Sequence, residues 1–434
     1  MAVEAAGIDA VPRDAARTEA WWVYSAIPML AAAIAFSWLL YADLQRLYGL
    51  TSDGTDLAAY QHAVWSITRG EWVHLELILF PIAGIELLWP SPIVLAILSA
   101  AGLAAAGPSA YLLFRALLPA ERKESALLAV ALATPIPFWA ATQQASRASF
   151  HPENLALAFV LVAAWAGLRG RRSLLWSFLF LDLACGTDQA YTVFVLALLL
   201  RSYGAAEIKK QWRVILYLAV FWFVVGAILV HPTLPGSSLP DALLVTGGIL
   251  ASMLGLPLFA PRWLLFAVPP LLAVLLSERY VLLLMFPLLV AGAIGARRLM
   301  TRTPELRPAS AVVLALPALL VGWGDGQIPP ALLASDWAYS RPNVVAQLQT
   351  AAAVIPKDAP VDADASLAVW LANRHTINEF PDKLETSDYV LIDIQADRLD
   401  SGGRHAALDA LPTGGRSLLY DDGRFQVWSP VGDY

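Results

Sequence analysis

The chain has 434 residues, of which 58% are hydrophobic and only 15% are charged, and its net charge is −6. Soluble domains carry about a quarter charged residues, so the composition excludes an ordinary soluble protein and predicts a polytopic α-helical membrane protein. The charge balance excludes a nucleic-acid binder, and the single cysteine, Cys185, excludes an internal disulfide and a cysteine metal cluster.

Apolar spans alternate with short basic junctions along the first three quarters of the chain, from an N-terminal segment 1–20 onward. Lys and Arg in short loops mark the cytoplasmic side. The alternation predicts about eleven transmembrane helices in the plasma membrane, with the N-terminus inside and the C-terminus outside. The membrane domain is predicted at 21–324. Its spans are expected at 21–41, 91–114, 125–141, 154–168, 174–185, 189–201, 214–231, 241–258, 263–276, 281–296 and 308–323.

The first exterior loop, predicted at 42–90, contains two carboxylates and a histidine within ten residues: Asp53, Asp56 and His62. A carboxylate at this place is suited to deprotonate an incoming hydroxyl as a general base. The alternative is that Asp53 caps a helix that begins near Thr55, which leaves Asp56 for function. The apolar stretch that follows predicts an amphipathic helix in the membrane interface at about 75–89, framed by His74 and Glu76.

A second polar segment runs from Arg147 to Asn154 at the predicted exterior start of the fourth helix. Pro152 and Glu153 suit the first turn of a helix, Pro for its backbone and Glu for its charge. A helix start does not explain Arg147 and His151, which together with a helix N-terminus suit a phosphate group.

The helices predicted at 174–185 and 189–201 are too short for two full spans at about 1.5 Å per residue. We therefore expect the chain to turn at partial depth, which places Asp188 against a cavity rather than lipid. The alternative is a helix cap, and Asp182 is expected to pair with a neighbour. Arg279, in an exterior turn, is expected either to face the same cavity or to form a solvated pair with Glu278.

The tail from residue 325 to 434 carries 16 acidic and 8 basic residues, against a near balance in the rest of the chain. This segment is predicted to be a small soluble α/β domain on the exterior. Helices are expected at 344–354, 366–372 and 404–411, with a buried strand at 389–393. Two further strands, 417–420 and 425–428, flank a hairpin signal, Asp421-Asp422-Gly423-Arg424.

At these residues the chain resembles the predicted membrane proteins grouped as domain of unknown function 2079. The similarity lies in Asp56 to Trp65 of the first loop, in Phe150-His151-Pro152-Glu153, and in the closing segment 388–392. The family's acidic turn, typically Lys-Glu-Asp, is Gly186-Thr187-Asp188 here, and His62 stands where Gln is expected. The family is similar to class C glycosyltransferases, which implies a polytopic enzyme that uses lipid-linked sugars and a carboxylate of the first exterior loop.

The resemblance implies a glycosyltransferase that moves a sugar from a polyprenyl-phosphate donor to an envelope glycan, lipid or protein on the outer face of the membrane. Asp56 is expected to be the base, with Asp53 as the second candidate. The donor phosphate is expected to contact Arg147, His151 and Arg279, and Glu153 and Asp188 to orient the sugar or the histidine. His62 and His74 are further candidate substrate-binding residues. No metal or other cofactor is predicted. Two alternatives remain open at this stage: a noncatalytic envelope scaffold or inactive homologue, and a lipid or small-solute transporter.

Overall fold

The computed structural model describes eleven stretches of the chain, and all structural statements below refer to these residues. They are 21–50, 55–71, 76–119, 123–147, 150–229, 253, 255–276, 281–302, 342–380, 388–395 and 402–430. Several predictions fall outside these stretches: the N-terminal segment 1–20, the span at 308–323, most of the span at 241–258, and the boundary at 324/325.

The described membrane part consists mainly of helices. In chain order they are α1 (Trp21–Gly49), α2 (Thr55–Thr68), α3 (Leu79–Glu86), α4 (Ile93–Leu117), α5 (Lys123–Ala133), α6 (Ala140–Arg147), α7 (Glu153–Leu168), α8 (Arg172–Cys185), α9 (Ala190–Tyr203), α10 (Ala206–Lys209), α11 (Trp212–Leu229), α12 (Pro261–Leu264), α13 (Val268–Leu276) and α14 (Val281–Arg302). Short 3-10 turns occupy Ile136–Phe138, Leu256–Phe259 and Leu265–Ala267.

Four of the described segments are long and apolar enough to cross a membrane. They are Tyr24–Gly49, Ile93–Leu117, Glu124–Arg147 and Val281–Arg302. Four further apolar helices are shorter: Glu153–Leu168, Ala190–Tyr203, Trp212–Ile228 and Pro261–Val274. The protein is therefore a multi-pass membrane protein, whereas the count of eleven spans is not confirmed by the described residues and stays a prediction.

The segment predicted as a single span at 125–141 is a broken helix that continues to Arg147. Pro135 and Pro137 interrupt it, because proline lacks the N–H that an α-helix needs. The freed carbonyl groups find side-chain donors: Thr142 Oγ1 donates to Ile136 O at 2.8 Å, and Gln143 Nε2 donates to Phe138 O at 2.8 Å. This satisfies backbone groups that no water can reach inside a membrane.

Helices α8 and α9 are the two short helices predicted on either side of the 186–189 turn. Each has 14 residues, which corresponds to about 21 Å of helix. The turn is packed against α11, where Trp222 Nε1 donates to Gly186 O at 3.1 Å and Gly226 lies against the Thr187 side chain. The interfacial helix predicted at 75–89 is shorter than expected, because regular helix covers only Leu79–Glu86.

The C-terminal part contains a five-stranded mixed sheet with helices, which confirms the predicted α/β class. It comprises α15 (Pro342–Ala353), β1 (Val361–Ala363), α16 (Ala365–Leu371), β2 (Ile377–Glu379), β3 (Tyr389–Asp393), α17 (Gly402–Thr413), β4 (Arg416–Asp421) and β5 (Phe425–Pro430). The strand order is β2-β1-β3-β5-β4; β1 pairs parallel to β2 and β3, and β5 pairs antiparallel to β3 and β4. The predicted hairpin is present, with Asp422 Oδ1 accepting from the N–H groups of Arg424 and Phe425.

Helices α1 and α2 of the membrane part pack against this C-terminal part. The Tyr48 and Trp370 rings lie 5.7 Å apart between centroids, and Leu50 is buried with the core of the C-terminal sheet. Val369 of α16 is buried in a cluster with Leu57 and Val64 of α2. The position of α2 is therefore set by apolar packing on both of its sides.

Candidate functional site

The centre of the candidate site is a contact between α2 and the segment that precedes α7. Asp56 lies in the first turn of α2, and its Oδ2 atom is 3.2 Å from Nε2 of His151. The side chain of Asp56 is 53% exposed, whereas that of His151 is 8% exposed. A buried ring therefore holds a carboxylate that remains exposed to the surroundings. The two residues are 95 positions apart in sequence, so only tertiary packing brings them together.

The position of His151 follows from its neighbours in the chain. Phe150 is fully buried in the cluster beneath α2, and Pro152 precedes the first residue of α7. The Tyr60 ring meets both Phe150 and His151 edge to face, with centroid distances of 5.6 and 5.4 Å. Tyr60 is one helical turn after Asp56, so one face of α2 supplies both the carboxylate and the aromatic wall.

A second carboxylate lies on the other side of the histidine ring. Glu153 Oε2 is 3.8 Å from Nδ1 of His151, which is an electrostatic contact and too long for a hydrogen bond. Glu153 is the first residue of α7, as predicted, where its negative charge complements the positive end of the helix dipole. The ring of His151 thus lies between the carboxylates of Asp56 and Glu153.

The turn between α8 and α9 brings Asp188 toward the same region. Its carboxylate interacts electrostatically with those of Glu153 and Glu76. Within the turn, Gln189 Nε2 donates to Asp188 Oδ2 at 3.3 Å. Asp56, His151, Glu153 and Asp188 therefore form a connected series, which we call the acidic series. Asp182 accepts a 2.8 Å hydrogen bond from Thr192 Oγ1, as predicted for a pairing residue, and its carboxylate also interacts electrostatically with that of Asp188.

Below α2, a buried pair fixes α3. Gln61 Nε2 donates to Glu86 Oε1 at 2.6 Å, and both residues are buried. Burial raises the pKa of Glu86 above its ordinary value, and the hydrogen bond from Gln61 opposes that rise. This pair was not predicted, because an isolated Gln and Glu 25 residues apart give no sequence signal.

The remaining predicted site residues are placed differently. Arg147 ends α6 with an exposed side chain. His62 lies on another face of α2, where Nδ1 is 3.2 Å from Ala372 O and the ring stacks on Trp65. Six residues at about 100° each turn its side chain away from Asp56 and toward the C-terminal part, and its role in substrate binding stays a prediction. Asp53, His74 and Arg279 lie outside the described residues.

Two members of the site were not predicted as functional residues. Tyr60 was visible only as part of an aromatic stretch, although its spacing of four from Asp56 on a helix predicts a shared face. Glu76 was noted only as a flank of the interfacial helix, and its approach to Asp188 depends on tertiary packing.

In the part of the chain that the structure describes, no three His, Cys, Asp or Glu side chains are grouped so as to hold a metal ion. The predicted independence from metal is not tested by this observation and stays a prediction.

The apolar helices and the acidic series define the class of the protein: a multi-pass α-helical membrane protein with a polar site at helix ends. Residues 46–245 match the model of the family described as "Predicted membrane protein (DUF2079)". The predicted resemblance to this family is therefore confirmed over that range, which includes both motifs of the site. The resemblance of segment 388–392 lies beyond the range and stays a prediction.

No curated protein matches the chain. Among solved structures, the chain is similar to the crystal structure of the Archaeoglobus fulgidus oligosaccharyltransferase tethered through a disulfide to an acceptor peptide with the NVT sequon. The identity is 11% and the TM-score 0.49, over 96% of this chain and 74% of that one. A likeness of this degree does not identify an activity.

Proposed function

We propose that the protein is a membrane glycosyltransferase that moves a sugar from a polyprenyl-phosphate donor to an acceptor hydroxyl. The observation that carries this proposal is the contact between the exposed carboxylate of Asp56 and the buried ring of His151. A carboxylate that is held by a buried partner and open to the surroundings suits a general base. The resemblance to a family similar to class C glycosyltransferases supplies the reaction class.

In the proposed reaction, the acceptor oxygen attacks the anomeric carbon of the donor sugar, and the bond from that carbon to the donor phosphate breaks. The hydroxyl proton moves to the carboxylate of Asp56. His151 acts as a positioning residue, because its Nε2–H donates to Asp56 Oδ2 and fixes the orientation of the base. This differs from the expected contact of His151 with phosphate, since its ring is 8% exposed and already placed between two carboxylates.

Arg147 remains our candidate for binding the donor phosphate, because its side chain is exposed and an arginine can donate two parallel hydrogen bonds to phosphate oxygens. The same contact is proposed for Arg279. Glu153 and Asp188 are proposed to orient the sugar or the histidine. Neutralising the departing phosphate is as necessary for this reaction as the base, since the leaving group carries the developing negative charge.

We further propose that the site opens to the outer face of the plasma membrane, with the C-terminal part on the exterior near the acceptor. Two features support this arrangement: α1 and α2 contact the C-terminal part, and α2 also carries Asp56. The basic residues lie at the opposite helix ends, such as Arg169 after α7 and Arg201 in the last turn of α9.

The test is the variant Asp56→Asn in a transfer assay on membranes, with a panel of radiolabelled polyprenyl-phosphate sugars. Asparagine keeps the shape and can still accept from His151, but it cannot take a proton. We expect the transfer rate to fall by roughly 10²–10⁴-fold, the usual contribution of a general base.

Glu71→Gln is the matched control. Glu71 lies just beyond α2, is 50% exposed and has a histidine neighbour, with its Oε1 atom 3.9 Å from Nδ1 of His375. This control should transfer sugar at the wild-type rate. Full activity in Asp56→Asn would remove Asp56 from the mechanism. Absence of transfer by the wild type with every donor of the panel would favour the noncatalytic scaffold.

A further inference from the structure

Three arginines converge at the end of the membrane part that lies opposite to the acidic series. Arg115 is in the last turn of α4, and Arg169 and Arg171 follow α7. Nη2 of Arg169 donates to the main-chain oxygen of Arg115 at 3.3 Å. Partial desolvation of its guanidinium, and the like charges of Arg115 and Arg171, lower the pKa of Arg169, although the residue as a whole is exposed. Three positive charges from two helix ends are thus held close together.

The turn after α7 forces this arrangement. Gly170 has a φ of +73°, a left-handed backbone conformation that residues other than glycine rarely adopt. The turn is closed by a hydrogen bond from Arg171 N to Ala166 O at 2.8 Å and joined to the next loop by Ala205 N and Gly167 O at 3.3 Å. The main-chain positions of Arg169 and Arg171, on either side of Gly170, are therefore fixed close together.

No carboxylate among the described residues forms an ion pair with these three arginines. The side chain of Arg115 forms a hydrogen bond with Tyr111, but its Nη1 atom is buried and has no hydrogen-bond partner within the described part of the chain. A buried donor that lacks an acceptor is unfavourable, and like charges that are held close together repel each other. One anion with several oxygens would relieve both costs. The N-terminus of α8, which starts at Arg172 without a side-chain cap, adds a further positive end.

The location indicates where such an anion comes from. Arg115 ends the apolar helix Ile93–Leu117, and the Arg171 guanidinium lies 4.7 Å from the centroid of the Trp165 ring. Trp and Arg at helix ends mark the level of the lipid headgroups. Phe180 lies about 12 Å along α8 from Arg172, the first residue of that helix, and is 55% exposed, as expected for a ring beside acyl chains.

We propose that Arg115, Arg169 and Arg171 form a binding site for the phosphate of an anionic phospholipid. Basic pockets between membrane helices are a known mode of headgroup recognition. The site holds lipid as a structural partner at the helix ends of α4, α7 and α8. The proposal does not depend on the transferase reaction.

The experiment uses the full chain, purified in a zwitterionic detergent and titrated with phosphatidylglycerol, with bound lipid counted by native mass spectrometry. The variant is Arg115→Gln with Arg169→Gln. The control is Lys209→Gln with Lys210→Gln, which removes the same charge from the same side of the protein. Thermal unfolding of each variant in lipid-free detergent checks that the fold is kept, and the single variant Arg169→Gln, on an exposed side chain, provides a second test.

Each arginine near a membrane surface contributes a roughly fivefold gain in lipid affinity, so the double arginine variant should bind about 30-fold more weakly. The lysine variant should stay within about twofold of wild type, because a zwitterionic detergent has no net surface charge and Lys209 and Lys210 are not part of the proposed site. Three results would overturn the proposal: an equal loss in the lysine variant, equal binding of phosphatidylcholine, or displacement of the lipid by an equal concentration of inorganic phosphate. The last would indicate a site for free anions.

Discussion

The close packing of α4 on α7 gives the sharpest structural prediction, at Gly102. A Cβ atom at this position would clash with the main-chain oxygen of Asn154 and lie 2.8 Å from Leu155 Cδ2 and 2.9 Å from Asn154 C. Ordinary contacts begin at 3.4 Å, so α7 would have to move by at least about 0.5 Å. A main-chain atom in the first turn of a helix cannot turn aside as a flexible side chain can.

The substitution Gly102→Ala is therefore expected to reduce the free energy of unfolding by about 1–3 kcal/mol, the usual cost of overpacking. Helix propensity opposes this by up to about 1 kcal/mol in favour of alanine. Asn154 is also bonded to α4 itself, since its Nδ2 donates to Ser99 Oγ at 2.8 Å, so a movement of α7 away from α4 would also strain this hydrogen bond. The movement also reaches Glu153, the adjacent residue, and we expect sugar transfer to fall with stability.

The matched control is Gly84→Ala, in α3, where an added Cβ meets nothing within 4 Å. This variant should be as stable as wild type or slightly more stable. The assay is reversible unfolding in mixed micelles, followed by tryptophan fluorescence. If Gly102→Ala unfolds at the same denaturant concentration as Gly84→Ala, α4 and α7 are not in the close contact described here.

Two further predictions concern the turn that carries Asp188 and the pair below α2. Trp222→Phe removes the donor to Gly186 O and should cost about 1 kcal/mol of stability; Trp176→Phe removes a comparable bond to Gln211 and should cost a similar amount. Only Trp222→Phe should slow sugar transfer in the membrane assay. If both variants slow transfer equally, the 186–189 turn has no specific role in catalysis. The pKa of Glu86 is raised in the folded state. As the pH rises above the ordinary Glu pKa of 4.5, the unfolded state loses the proton more readily, so the wild type loses stability. Glu86→Gln should therefore gain stability relative to wild type between about pH 4 and pH 8 in thermal unfolding, and a constant difference across this range would contradict the buried environment of Glu86.

Much of the local structure could be predicted from the sequence, because it depends on short-range chemistry. Pro152 and Glu153 predicted the start of α7, and the apolar run at 389–393 predicted β3. The hairpin at 421–424 was readable because Asp and Gly favour its turn. Strands β1 and β2 were missed, since segments of three residues carry no periodic pattern and are stabilised by their partners in the sheet.

The membrane class was also readable, since composition alone requires it, but the helix count was not. Breaks at Pro135 and the short helices α8 and α9 make span lengths irregular, and irregular backbone at depth is possible only where neighbouring helices or side chains satisfy it. Trp222 does so for Gly186, from a helix more than 30 residues away in sequence. No local pattern encodes such a contact.

The site shows the same division. The sequence by itself determined which residues were chemically capable: Asp56, His151, Glu153 and Asp188 all came from motifs with a physical reason. Only the tertiary structure decided which of them meet, placing Asp56 beside His151 and turning His62 toward Ala372. The reason is that residue type sets the chemistry of a side chain, whereas its partner is set by how buried apolar faces pack, as Phe150 beneath α2 illustrates.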